Sequence, residues 1–333
     1  MAAHPDAQQL FFSLIKEKLP QHVSLVDELA DILKMSNDSA YRRIRGEKML
    51  TLDEIRILSK QFSISIDSLF NNSLESVTFN YKAIDDTSFT LEHYLSSILS
   101  DLQAFDKTQN TRLVYVAKDI PIFHNFQFME LAAFKMFFWL KTVVNLSDYD
   151  TKLFDMEEIN EKTIGIGKQI INLYNKLPSI EVWTDETVNS LINQLEYCWE
   201  SGLFKKKEDA LLLCDQVHLM LMQIRKQAEC GFKFNGGEKP IEKAGSFQLY
   251  YSEVMISNNS ILAYTGNAMV AYVSHNTLNF MITSNTNFCE DTDKWINNVI
   301  RKSGLISGVS EKQRHQFFRK AFDKIKLLRD VIS

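Results

Sequence analysis

The chain is poor in residues that break secondary structure. Only 11 glycines and 5 prolines occur in 333 residues, too few for a collagen-like repeat or an extended Gly/Pro linker, and long helices are expected. The four cysteines, Cys198, Cys214, Cys230 and Cys289, show no C-x-x-C spacing. Neither a zinc site nor a disulfide scaffold is therefore expected, and the thiols are read as reduced. Long apolar runs are missing too: the densest, Leu131 to Val144, is interrupted by Lys135 and Lys141 and is too short to cross about 30 Å of hydrocarbon. No membrane partner is expected. The first seven residues carry His4 and Asp6 without a basic head and an apolar run, unlike a secretory signal, so a cytoplasmic location is the expectation.

Signatures of common catalytic sites are also absent. There is no H-E-x-x-H and no G-x-S-x-G. Gly165-Ile-Gly167-Lys168 begins like a phosphate loop, but no Gly-Lys-Ser/Thr follows at the required spacing. Glu290-Asp-Thr-Asp293 reads as the start of a helix and not as a calcium loop. His218 lies on an apolar helix and reads as a core residue. The chain is therefore expected not to be an enzyme and to need no cofactor and no metal.

What is present is an ordinary globular composition, 45% apolar and 24% charged, with enough length for two domains. Charge is nearly balanced over residues 1–75, with 9 Lys+Arg against 11 Asp+Glu for a net of −2. It is not evenly spread. Between Lys34 and Lys48 five cations (Lys34, Arg42, Arg43, Arg45, Lys48) face Asp38 and Glu47, a local net of +3.

Apolar spacing predicts five short helices in residues 1–75. Leu10, Phe11, Leu14, Ile15 and Leu19 form one stripe, which Pro20 ends. Ser24 with Asp27 starts a second helix over Leu25 to Leu33. Ser36 can cap a third through Arg45, ended by Gly46. Thr51-Leu-Asp-Glu54 is a capping box for a fourth, and Ser63 to Phe70 supplies a last turn. The run from Glu28 to Phe70 resembles the helix-turn-helix domain of XRE, or lambda-repressor-like, transcription regulators. Leu29-Ala30, Ser36 opening the recognition helix, Arg45-Gly46 closing it, and Leu52 to Phe70 carry the likeness, over about one fifth of the chain. Two positions depart from the family: Lys34 stands where Gly is usual, and Ile44 where Glu is usual. The phase of the recognition helix is thereby left open.

The resemblance implies an all-α domain that docks its third helix in the major groove of double-stranded DNA. Ser36, Asn37, Asp38, Ser39, Arg42 and Arg43 would then lie near base edges, with Arg42 and Arg43 the foremost readers. Arg45, Lys48 and Lys34 would neutralise phosphates. Ala40 and Ile44 should face inward, and Tyr41 either packs inward or faces DNA.

Residues 76–333 are expected to form a larger α+β domain with long helices and a small antiparallel sheet, divided internally near residue 236. Val77 to Ile84 and Leu113 to Val116 read as strands. Phe89 to Phe105, Phe126 to Val144, Glu157 to Lys176, Glu186 to Ser201 and Glu208 to Glu229 read as helices, the last two as an antiparallel pair. Beyond Gly236-Gly237, β-prone segments at 247–256, 261–264, 269–273 and 278–283 alternate with turn residues and suggest a meander. Asp291 to Lys302 and a terminal helix opened by a Ser310 to Gln313 capping box follow. No 34-residue repeat is found.

The function these features point to is sequence-specific transcription regulation, with the larger domain pairing two copies into a homodimer, sensing a small-molecule or peptide effector, or both. The alternatives are a protein- or peptide-interaction adaptor and an unfamiliar enzyme with an appended regulatory helix-turn-helix domain.

Overall fold

The structure, a computed structural model, describes residues 7–19, 23–62, 64, 66, 76–81, 89–158, 160–236, 245–253, 256–275 and 279–333. The chain divides into two compact units, Met1–Thr78 and Phe79–Ser333.

In the smaller unit, local polar groups decide where the second, third and fourth helices start. Helices α1 (Ala7–Lys18), α2 (Leu25–Leu33), α3 (Asn37–Ile44) and α4 (Leu52–Phe62) follow one another. Ser24 Oγ accepts from the Asp27 amide at 3.5 Å and opens α2, and Ser36 Oγ accepts from the Ser39 amide at 3.3 Å and opens α3. Thr51 and Glu54 form the expected reciprocal box, Thr51 N to Glu54 Oε2 at 2.9 Å and Glu54 N to Thr51 Oγ1 at 3.2 Å. Each such cap satisfies amides the helix itself leaves bare. Phe11, Phe12, Ile15, Leu29, Ala30, Ala40, Leu58 and Ile64 are buried together as the core, a full burial of each large one contributing roughly 1.5–3 kcal/mol. The fifth helix expected over Ser63 to Phe70 lies outside the described residues, apart from Ile64 and Ile66.

The larger unit is built on one mixed sheet of eight strands, in the order β1-β7-β6-β5-β2-β3-β4-β8. The strands are β1 (Asn80–Tyr81), β2 (Arg112–Ala117), β3 (Ser179–Trp183), β4 (Phe247–Tyr251), β5 (Ser260–Thr265), β6 (Ala268–Ser274), β7 (Phe280–Thr283) and β8 (Gly304–Leu305). The helices are α5 (Leu91–Lys107), α6 (Ile122–Asn125), α7 (Met129–Phe138), α8 (Glu161–Lys176), α9 (Asp185–Glu200), α10 (Lys207–Cys230), α11 (Thr286–Arg301) and α12 (Glu311–Ile332), and α7 runs on into one π turn, Trp139–Val143. Strands β2, β3 and β4 are parallel, and each crossover carries helices, as parallel pairing requires. Alternate residues go to opposite faces. Leu113, Tyr115 and Trp183 join the main core beneath α5 to α10 and α12, whereas Val114, Val116 and Val182 meet Cys289 and Ile296 of α11 on the other face.

Several expectations are corrected here. The sheet is neither small nor purely antiparallel, because β3 was not foreseen and β4 pairs with it in parallel instead of opening the meander. Only β5, β6 and β7 form that meander. The stretch just beyond residue 236, where an internal division was expected, lies outside the described residues; β3 before it and β4 after it pair in one sheet. Helix α10 packs most extensively on α12, not on α9, running antiparallel to it with Asp215 bound to Arg329 at 2.7 Å and His218 against Phe322 at 4.7 Å. Glu290 and Asp293 sit within α11, which Asn285 caps earlier. Ser310 precedes α12 without a side-chain cap. Gly167, part of the phosphate-loop-like run, lies in α8 where a Cβ would strike the Phe126 ring, so its role is close helix packing.

Candidate nucleic-acid interface

Helix α3 is held by three sets of contacts, and what they consume determines what it can offer a partner. On the inward side Ala40 is fully buried and Ile44 packs on the same core. Arg43 also turns inward. Its residue is 5% exposed, with Nη2 and Nε donating to Glu54 Oε1 and Oε2 at 2.7 and 3.1 Å and Nη1 donating to the Ser39 carbonyl at 3.1 Å. Burial alone would raise the Glu54 carboxyl, but Arg43 and the Thr51 amide outweigh it and hold the group below its ordinary value. The forked guanidinium thus ties α3 to the first turn of α4. This corrects the expectation for Arg43: with its donors turned to Glu54 and Ser39, it presents no edge to a base.

Gln8 of α1 closes the arrangement from below. Its Nε2 donates to the carbonyl oxygens of Arg43 and Lys48 at 2.8 and 2.9 Å, and its Oε1 accepts from the Leu50 amide at 2.7 Å. The turn after α3 is thereby fixed by a single amide side chain that no sequence signal marked. Lys34 closes α2 with φ +50°, its amide and that of Met35 reaching back to Asp31 and Ala30 at 3.4 and 3.0 Å. That left-handed conformation is one that glycine adopts without strain.

The outward side of α3 is a single stripe. Asp38, Tyr41, Arg42 and Arg45, spaced i, i+3, i+4, i+7, are all exposed. Tyr41 is 47% exposed, and the Arg45 guanidinium lies 4.5 Å from its ring centroid, which stiffens both side chains. Arg42 and Arg45 approach Glu47 only at 3.7 and 3.8 Å, with more than half of each side chain exposed. Of the other expected site residues, Ser36 and Ser39 form the cap of α3. Asn37 donates to Asp27 at 2.8 Å, and Lys34 and Lys48 are exposed. Four outward cations (Lys34, Arg42, Arg45, Lys48) against Asp38 and Glu47 leave this surface at +2.

A second polar centre lies buried in the larger unit. Glu181, fully buried on β3, accepts from Tyr174 Oη at 2.5 Å and Trp183 Nε1 at 2.7 Å, and His124 Nε2 lies 2.9 Å away. Burial opposes the carboxylate charge, but His124, Tyr174 and Lys233 prevail and hold Glu181 below the ordinary value. Lys233 Nζ sits 3.5 Å from the Tyr174 ring centroid. Burial brings it down to about 7, against the attraction of Glu181. His124, Tyr174, Glu181, Trp183 and Lys233 are all at 0 or 1% exposure, so the cluster lies within the core.

Among the described residues no group of three His, Cys, Asp or Glu side chains could hold a metal ion, and no helix is long and apolar enough to cross a membrane. No protein-family model, curated protein or solved structure matches the chain.

Proposed function

We propose that the protein is a sequence-specific DNA-binding transcription regulator, with α3 lying in the major groove. The observation that carries this reading is the outward stripe of Tyr41, Arg42 and Arg45 on a helix whose opposite side is fully engaged by α1, α2 and α4. Arg42 is the foremost base reader, since Arg is geometrically suited to guanine. Arg45, Lys34 and Lys48 contact phosphates, and Arg43 serves only to hold α3 in place. One such unit makes few contacts. Two copies, paired through residues 79–333 and reading half-sites about 34 Å apart, would supply the remaining affinity.

The test is selection of duplexes from a random pool, followed by titration of the preferred duplex at several salt concentrations. Binding should weaken steeply with salt, because phosphate contacts release counterions. The Arg42→Ala, Arg45→Ala double variant should lose sequence preference while staying folded. Absence of duplex binding at low salt, or unchanged preference in that variant, refutes the reading.

A further inference from the structure

The larger unit contains a cavity of about 370 Å³, bounded by the amino ends of α5 and α8, the π turn, and the chain from Leu146 to Asp155. That is within the range of small-molecule sites. Phe89, Phe137, Tyr149 and Phe154 give it aromatic walls.

Its outer wall is fixed by hydrogen bonds of the chain itself. Lys141, carried on the π turn, donates to the carbonyl oxygens of Tyr149, Asp150 and Lys152 at 2.6, 3.0 and 3.1 Å. Further along, Phe154 donates its amide to Leu203 at 2.7 Å and accepts from the Lys205 amide at 3.0 Å. Unfilled space between apolar side chains forfeits dispersion contacts, so walls fixed in this way hold open a volume that packing would otherwise close. A π turn is rare and is frequently found at functional sites.

The charges at the wall select the sign of an occupant. Glu92 is paired with Lys162 at 2.7 Å, and Asp155 is paired with Lys205. Lys152 has no acidic partner among the described residues; its ammonium lies 4.6 Å from the Tyr149 ring centroid.

We propose that this cavity binds a small monocarboxylic acid with an aromatic or short alkyl body, its carboxylate at Lys152 and its body among the rings. The site stands on the cavity; only its use as an effector site controlling residues 1–78 rests on the regulator reading. Direct binding to the full chain therefore tests it without DNA. Calorimetric titration would use octanoate and 4-phenylbutyrate, with octan-1-ol and octylamine as neutral and cationic counterparts. The acids should bind one saturable site at least about tenfold more tightly than the amine, and Lys152→Gln should weaken them about tenfold while sparing the alcohol. Ala133→Trp, which fills the cavity, should abolish binding of all four. If that variant does not fold by circular dichroism, Lys152→Gln at the exposed rim decides. No saturable binding of the acids, equal binding of the amine, or acid affinity unchanged by Lys152→Gln overturns the proposal.

Discussion

Replacing Arg43 with Ala separates a structural arginine from a DNA-reading one. Removing one partner of a buried ion pair costs about 3–5 kcal/mol, because the other charge is left desolvated. Here the Glu54 side chain keeps 16% of its exposure and still accepts from the Thr51 amide, so about 2–4 kcal/mol is the reasoned loss. A unit spanning Met1–Thr78 has about 4–12 kcal/mol of stability in all, and the substitution therefore removes a large share. Tryptophan fluorescence is blind to this event, since Trp139, Trp183, Trp199 and Trp295 all lie beyond residue 78. Hydrogen exchange of the full chain, followed by mass spectrometry of peptides covering residues 25–62, reads it directly. Those amides should exchange about 30- to 900-fold faster in Arg43→Ala, with the larger unit unchanged. Adding Glu54→Gln to Arg43→Met removes both charges while keeping a residue able to complete the capping box, and should recover most of the protection. Unchanged exchange in Arg43→Ala would refute the assignment of this side chain to the fold.

Lys34→Gly should stabilise the smaller unit by about 0.5–1 kcal/mol, since φ +50° is costly for a side chain bearing a Cβ; thermal unfolding followed at residues 7–62 by exchange checks it, and the same variant should weaken duplex binding and lower its salt slope by about 1. Gly167→Ala should destabilise the larger unit by driving a methyl into the Phe126 ring, about 1–3 kcal/mol as read by urea unfolding with tryptophan fluorescence. Lys233 carries a pH dependence of definite sign. Unfolded, it holds its proton up to its ordinary 10.5, but folded only to about 7, so in that window the unfolded state binds more protons and stability rises with pH. Below about 7 the penalty of the buried ammonium, on the order of a few kcal/mol, is fully present. Lys233→Met should be more stable than the parent at pH 7 and should lose the rise between pH 7 and 10; parallel profiles for the two proteins would contradict this.

The starts of α2, α3 and α4 were legible because each depends on residues three apart. Ser24, Ser36 and the Thr51–Glu54 box need only their own first turns to act as caps. The direction of Arg43 was not legible, because its partner Glu54 comes from the next helix and arginine is ordinarily a surface residue. Strand β3 was hidden for a related reason. Ser179, Glu181 and Trp183 alternate with Ile180 and Val182, and both faces of the strand are buried, so a carboxylate occupies an inward position that the alternation rule assigns to apolar residues. Sheet order was beyond reach as well, since β2, β3 and β4 pair across intervening helices and nothing local specifies which strand neighbours which. The cavity is in the same position, its walls converging from residues 89 to 164.

Arg43 and Glu181 follow one physical rule, and it bears on the reading of the surface. A charge taken out of water persists only where fixed partners replace its hydration. Arg43 has Glu54 and the Ser39 carbonyl, and Glu181 has Tyr174, Trp183 and His124. Once the charges used internally are set aside, the cations of α3 and its flanking turns that remain are Lys34, Arg42, Arg45 and Lys48. None of the four stands closer than 3.7 Å to a carboxylate among the described residues. Their net field is weaker than a count along the sequence gives, +2 in place of +3, because Arg43 is neutralised from within. A duplex held by so few cations on one copy would be bound weakly and with a shallow salt slope, whereas a paired assembly would double the slope along with the contacts. The slope measured on the full chain, compared with that of a variant whose self-association has been broken, therefore distinguishes reading by one unit from reading by two.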